Sequence, residues 1–312
     1  MEKFKVVVTD FEYESLEIER KVIEEAGGEL IPCQCKTEEE IIEACKDADG
    51  ILNQYASISR RVIENLQKCK VISRYGVGVN TIDVNAAKQR SIEVRNVPDY
   101  CIDEVSDHAF ALLLSLARKV VLLNETVKGG TWDYKMSVPI YRLKGRKLGL
   151  VGFGQISQSL AKKAQAFGIG VIAYDPYVSA EVAERLNVEL VDLDTLCRNS
   201  DFISIHAPLT SATEGLISES QFDKMQDHAF IINTSRGGVI DEPALIRALQ
   251  KGKLAGAGLD VVETEPILAN NPLLKMNNVI LNPHVAWYSE ESEAELKRKT
   301  ALNAVEVIKD RD

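Results

Sequence analysis

Histidine is scarce in this 312-residue chain, and no two of the four (His108, His206, His228, His284) stand at metal-ligand spacing. The six cysteines are scattered over positions 33, 35, 45, 69, 101 and 197. Only Cys33 and Cys35 form a close pair, and no second pair or nearby histidine completes a zinc site. Reduced thiols are expected, with neither a metal nor a disulfide framework. No apolar run approaches the ~20 residues needed to span a bilayer. The opening MEKFKVVVTD leads into a short strand and lacks the apolar core and small-residue cleavage site of a signal peptide. A cytoplasmic protein without a membrane partner is expected. Positive charge is in deficit, at a net −10, which argues against nucleic acid or an anionic membrane as an obligatory partner. An anionic small substrate is still allowed, because a local arginine outweighs a distant negative field inside a closed cleft. No low-complexity segment or obvious short repeat stands in the sequence, and no appended regulatory module is expected.

What is present is a globular balance of 45% hydrophobic and 27% charged residues, in a chain long enough for two domains. The first hundred residues alternate short β-branched runs (FKVVVTD, GELIPC, GILNQ, VISRYG, IEVRNV) with amphipathic stretches. That alternation predicts a parallel sheet with right-handed crossovers, a flavodoxin-like layer sandwich. Pro98 and Asp99 break the pattern. The run DEVSDHAFALLLSLARKVVLLNETV that follows predicts one long helix, apolar on most faces and therefore buried, joining two domains or lining a subunit interface. A second alternating series extends from GRKLGLVGFG to VILNPH. The closing EESEAELKRKTALNAVEVIKD predicts an amphipathic helix that packs back on the first domain. The fold class is α/β with two parallel-sheet domains.

Three polar residues suited to hydride transfer stand at or just past strand-like runs: Arg236 after AFIINTS, Glu265 after GAGLDVV, and His284 after VILNP. Open α/β sheets gather their chemistry outside the carboxyl ends of the strands. A fixed positive charge, a carboxylate and an imidazole brought there together make a candidate catalytic set.

The segment LGLVGFGQISQSLAKKAQAFG places Gly152, Gly154, Gln155 and Ile156 between a strand and a helix. The first glycine allows a tight turn, the second lets backbone approach a pyrophosphate, and the helix N-terminus offers unpaired N–H groups. The usual third glycine is Ser157, small enough to fit with slight strain. The next strand-like run ends at Asp175, about 20 residues on, where a carboxylate accepts ribose hydroxyls and repels a 2′-phosphate. No arginine follows to receive that phosphate, so NAD is favoured over NADP.

Taken with these features, the segments RYGVGVNTID, NVPDYCIDEVSDHA, GLVGFGQIS, SDFISIHAPLTSAT, INTSRGGVID, AGAGLDVVETEP and NPHVAWYS resemble the D-isomer-specific 2-hydroxyacid dehydrogenases over essentially the whole chain. The ending PHVAWYSEES looks closest to the branch that contains the C-terminal binding proteins. The resemblance implies a substrate domain of residues 1–100 plus 286–312, an inserted Rossmann NAD-binding domain of residues 101–285, an active site in the interdomain cleft, and a homodimer with the region around 101–120 at or near the interface. It implies that Arg236 binds the substrate carboxylate and carbonyl. His284 then exchanges a proton with the carbonyl oxygen, and Glu265 orients His284 and favours its imidazolium form. Backbone groups of Gly76, Val77 and Gly78, with Arg74 beside them, grip the carboxylate. Asp260 faces the nicotinamide carboxamide. His206, Ala207, Pro208 and Thr213 wall the adenosine half, and Val77, Thr234 and Ser235 also meet the cofactor. His108 and His228 read as structural, whereas Trp287 reads as a substrate wall. The implied activity is NAD-dependent interconversion of a small 2-oxo acid and a D-2-hydroxy acid. Alternatives are D-3-phosphoglycerate dehydrogenase and an NAD(H)-responsive corepressor or scaffold.

Overall fold

The computed structural model describes residues 3–311. The chain divides into two compact units, one taking the chain up to Cys101 and again from Tyr288, the other running Ile102–Trp287.

In the first unit, strands β1 (Lys5–Val8), β2 (Glu29–Pro32), β3 (Gly50–Asn53), β4 (Val71–Arg74) and β5 (Glu93–Arg95) form one parallel sheet in the order β2-β1-β3-β4-β5. This is the doubly wound flavodoxin-like order. Val6, Val7 and Val8 are buried, as a central strand covered on both faces requires. The crossovers are α1 (Glu17–Glu25), α2 (Glu38–Cys45), α3 (Arg60–Glu64) and α4 (Val84–Gln89). Side-chain caps fix three of their starts: Thr37 with Glu40 as a capping box, Ser59 on Val62, and Asp83 on Ala86. The chain's last helix, Glu290–Asp310, packs its Leu296, Ala301, Ala304 and Ile308 face against α1, β3 and β4. The Ser73 hydroxyl donates to Thr300 O at 2.8 Å across that contact.

The second unit opens with α5 (Ile102–Ala117) and α6 (Val120–Lys128). Strands β6 (Lys147–Val151), β7 (Gly170–Tyr174), β8 (Glu189–Leu190), β9 (Phe202–Ile205), β10 (Phe230–Asn233), β11 (Gly256–Leu259) and β12 (Val279–Leu281) follow, all parallel, in the order β12-β11-β10-β9-β6-β7-β8. This is the Rossmann order with one more strand at the edge, and its switch point lies between β6 and β9. Helix α7 (Gln155–Ala166) packs on α5, whose Leu112, Leu113 and Leu116 are buried.

The single long helix expected over 103–127 is two helices. Lys119 adopts φ 55°, in the left-handed region, and α6 has no buried residue. Its Val120, Val121 and Val127 are as apolar as the buried face of α5, yet each stays more than 40% exposed. No helix of the described residues is long and apolar enough to cross a membrane, and no cluster of His, Cys, Asp or Glu among them could hold a metal ion.

At the amino ends of β6, β9 and β10, Asp201 clasps three neighbours. Arg146 Nη1 lies 2.6 Å and His228 Nε2 2.9 Å from its Oδ1, and the Lys147 N–H donates to Oδ2 at 2.8 Å. Burial opposes the Asp201 charge, but the Lys147 N–H, His228 and Arg146 outweigh it and hold the carboxyl below the usual aspartate range. With the native value lowered, the clasp stabilises the fold above the ordinary range near pH ~4 and is lost as pH falls through the native value. Asp201→Asn is expected to lower the unfolding free energy by about 1–3 kcal/mol at neutral pH. Urea titrations of both proteins, repeated in acid, should find that gap closing; a gap that widens in acid would refute the clasp.

Candidate active site and cofactor turn

Because β10, β11 and β12 are adjacent, parallel and in register, the loops beyond their carboxyl ends emerge side by side. These loops carry Arg236, Glu265 and His284. His284 Nδ1 stands 2.7 Å from Glu265 Oε2, and the other carboxylate oxygen accepts the Val262 N–H at 3.2 Å. Burial raises the Glu265 pKa, but the His284 hydrogen bond and charge, the Val262 N–H and the Arg236 charge prevail and hold it below the usual glutamate range. With Nδ1 engaged, Nε2 is the nitrogen available to a reacting group. Both side chains keep more than a third of their surface open to solvent. The arrangement can hold an anion at Arg236 and move a proton at Nε2.

Backbone contacts set this geometry. Asp260, 1% exposed, accepts the Val285 N–H at Oδ1 and the Ala286 N–H at Oδ2, both at 2.9 Å, and its carbonyl accepts the His284 N–H at 2.8 Å. His284 is thereby held at φ 55°, an uncommon backbone conformation for a side chain of its size. Asp260 thus grips the histidine loop, a task that the expectation of a carboxamide partner did not include. Asn233, fully buried at the end of β10, donates to Arg236 O at 3.0 Å and accepts from Ser235 N at 3.0 Å. Gly237 admits the neighbouring loop: a Cβ there would lie 2.0 Å from the Val262 carbonyl. Asn233 and Gly237 were missed in the sequence. The available signal was a polar residue closing a buried apolar strand, repeated in the first unit by Asn53, which donates to Ala56 O at 2.9 Å.

The glycine turn lies at the switch point. Gly152 has φ 89°, and a Cβ on it would sit 2.8 Å from Ala207 N, so the His206–Ala207 backbone itself demands glycine. Gly154 caps α7 without a side-chain bond, and a Cβ on it would meet nothing within 4 Å, which leaves the helix N-terminus at Gln155 and Ile156 open. Ser157 is fully buried, and its hydroxyl donates to Gly152 O at 2.7 Å, so the serine ties the turn to the helix. Asp175 accepts N–H groups from Phe153 and Tyr177 at 2.8 Å and from Val178 at 3.2 Å. These fix the carboxylate and leave part of its capacity of about four acceptor positions for hydroxyls. His206 Nε2 pairs with the Ser204 hydroxyl at 2.8 Å, and burial pulls the imidazole down to about 4, so the ring is neutral at physiological pH. Thr213 Oγ1 donates to Pro208 O and accepts the Thr210 N–H, bracing its own loop beside Ala207. The Thr234 hydroxyl oxygen is buried with no hydrogen-bond partner among the described residues. An uncapped helix start, a fixed acceptor and an orphaned hydroxyl fit a dinucleotide.

Residues 110–286 match the model for the D-isomer specific 2-hydroxyacid dehydrogenase, NAD binding domain. This chain belongs to the D-isomer-specific 2-hydroxyacid dehydrogenase family. It is 43% identical over 291 residues to the D-3-phosphoglycerate dehydrogenase of Methanocaldococcus jannaschii, covering 93% of this chain and 54% of that protein. The chain spans about half the length of the phosphoglycerate dehydrogenases it matches. It is 40% identical to the glyoxylate reductase of Thermococcus litoralis, covering 86% of this chain and 83% of that one. Its structure superposes on a glyoxylate reductase from Paecilomyes thermophila with a TM-score of 0.91 at 27% identity, covering 100% and 97% of the two chains.

The remaining family positions divide between the units. Trp287 ends the second. Arg74, Gly76, Val77 and Gly78 lie in the first, where β4 ends. Gly76 has φ 126°, and the Arg74 guanidinium lies across it: a Cβ there would meet Nη1 at 1.7 Å. Val77 is exposed. Tyr75, between them, is buried and donates to Glu19 Oε1 at 3.0 Å.

Proposed function

We propose that this protein is an NAD-dependent dehydrogenase interconverting a small, unphosphorylated 2-oxo acid and its D-2-hydroxy acid. The observation that carries this reading is the His284–Glu265 pair at 2.7 Å, formed between the loops after β12 and β11, the latter beside the β10 loop that bears Arg236. When bound, NAD would supply the hydride acceptor or donor for C2 of the substrate. Gly152, Gly154, Gln155 and Ile156 would hold its pyrophosphate, Asp175 its ribose hydroxyls, and His206, Ala207, Pro208 and Thr213 its adenosine half. Asp260 would face its nicotinamide carboxamide, and Val77, Thr234 and Ser235 would also contact the cofactor. Arg236 binds the substrate carboxylate and polarises the carbonyl through its planar fork, which a lysine cannot reproduce. Arg74, Gly76, Val77 and Gly78 bind the same carboxylate, and Trp287 walls the substrate. In reduction His284 Nε2 gives its proton to the carbonyl oxygen; in oxidation it takes that proton back. Glu265, held as the carboxylate, orients the ring and balances its charge.

Removing this pair tests the proton step. His284→Ala is expected to lower kcat about 100- to 10,000-fold with NADH affinity little changed. Glu265→Gln is expected to lower kcat, because the ring loses the charged acceptor that orients it. Undiminished turnover in His284→Ala would remove the histidine from the mechanism.

The substrate class rests on charge. HVAWYSEES carries no lysine or arginine, and Glu290, Glu291 and Glu293 follow the tryptophan. Arg61 is paired with Glu38 and Glu39, and Arg60 lies within ion-pair distance of Glu64 and Asp83. A dianionic phosphate needs cations to replace its lost water. Relatives named glyoxylate reductase and hydroxypyruvate reductase support this reading, and those named D-3-phosphoglycerate dehydrogenase support the alternative. The PHVAWYSEES ending supports the C-terminal-binding-protein-like branch, with an NAD(H)-responsive corepressor or scaffold as the second reading. Comparing kcat/KM for glyoxylate, hydroxypyruvate and phosphohydroxypyruvate, each with NADH and NADPH, decides among these. The unphosphorylated acids and NADH are expected to be preferred; an advantage for phosphohydroxypyruvate would overturn the substrate assignment.

A homodimer accompanies this reading. The stretch from Val120 to Tyr141 exposes a run of large apolar side chains, with Trp132 90% and Tyr134 76% exposed. Val121 and Tyr141 of this stretch line a cavity of about 600 Å³ together with Leu116, Phe202, Phe230 and Ile280. Large apolar side chains left open to solvent, some of them lining a hollow, favour association with another chain. Sedimentation velocity is expected to find two chains per particle, reduced to one by Trp132→Glu with Tyr134→Glu; a wild-type monomer would refute the dimer.

A further inference from the structure

Helix α5 brings one imidazole to the strand ends that the mechanism uses. His108 Nε2 lies 3.2 Å from Asn282 Oδ1 and 3.7 Å from Asp260 Oδ1. Asn282 stands two residues before His284, and its own N–H donates to Leu259 O at 2.9 Å, continuing the β11–β12 ladder. Asp260 holds the two N–H groups after His284. His108 therefore touches both residues that flank the left-handed turn at His284, one before it in the chain and one beneath it.

We infer that His108 is a positioning residue of the proposed active site: by hydrogen-bonding the Asn282 side chain, with Asp260 close by, it fixes the backbone from which His284 projects. This deepens the proposed function and rests on it for the role of His284. Asp260 supplies acceptors to Val285 and Ala286, whereas the Asn282 side-chain oxygen meets a group from outside the loop, His108 Nε2. His108 makes that contact from a helix anchored in the core by Leu112, Leu113 and Leu116. Without it, the loop keeps its Asp260 bonds but loses its tie to α5. A site that depends on placement to a fraction of an ångström is sensitive to such a loss.

The test compares wild type, His108→Leu and His108→Gln, since a glutamine amide can place a donor near the position of Nε2. His108→Leu is expected to lower kcat for hydroxypyruvate reduction about tenfold. NADH affinity and melting temperature should stay close to wild type, and His108→Gln should recover most of the loss. A readout independent of turnover is the set of backbone amide resonances of His284, Val285 and Ala286, expected to shift in His108→Leu and return in His108→Gln. Unchanged amides and kcat in His108→Leu would overturn the inference. A loss that tracks a lowered melting temperature and is not rescued by glutamine would do the same, by assigning His108 to packing alone. A wild type inactive on every 2-oxo acid would refute the proposed function, while the amide resonances would still decide whether His108 fixes the loop.

Discussion

A carboxyl group almost wholly removed from water must find hydrogen-bond donors within reach, and the donors it finds are then fixed in place. Asp260 is that group here. Its two oxygens hold the N–H groups of Val285 and Ala286, its carbonyl holds that of His284, and it stands where β11 ends. The left-handed backbone at His284, the direction of its imidazole and its meeting with Glu265 all depend on this one anchor. A charged or catalytic side chain on a free loop would lack such definition.

The other loops are held by the same kind of device. Buried asparagines close β3 and β10, and each turns its amide back to the carbonyl of the loop that follows. Polar side chains at these strand ends let an otherwise apolar sheet finish in a defined turn, because their amides satisfy main-chain groups that the ladder no longer pairs. Gly237 removes the one side chain that would separate the arginine loop from the glutamate loop, and Gly152 does the same between the cofactor turn and the His206–Ala207 peptide. The second unit is thus a rigid parallel sheet whose carboxyl edge is knit by backbone contacts between loops. Such an edge suits a reaction that requires one acid–base group and one anion-binding group at a constant separation.

The sequence by itself determined the class of fold and the identity of the chemical groups. Short β-branched runs alternating with amphipathic stretches become parallel strands and crossovers because a buried strand must be apolar on both faces and a crossover helix on one. The glycine turn, Asp175, and the Arg236, Glu265 and His284 set could be read for the same local reason, since each follows a strand-like run. Tertiary structure alone decided which groups touch. The 2.7 Å pairing of His284 with Glu265, the grip of Asp260 on residues 25 and 26 positions away, and the approach of Gly237 to Val262 follow from the register of β10, β11 and β12. No periodicity encodes such contacts between loops. The break at Lys119 and the exposure of α6 were equally hidden, because hydrophobicity records that a surface is apolar and not what covers it. A sequence pattern reports the burial each residue needs, whereas the packed sheet fixes the partner that supplies it.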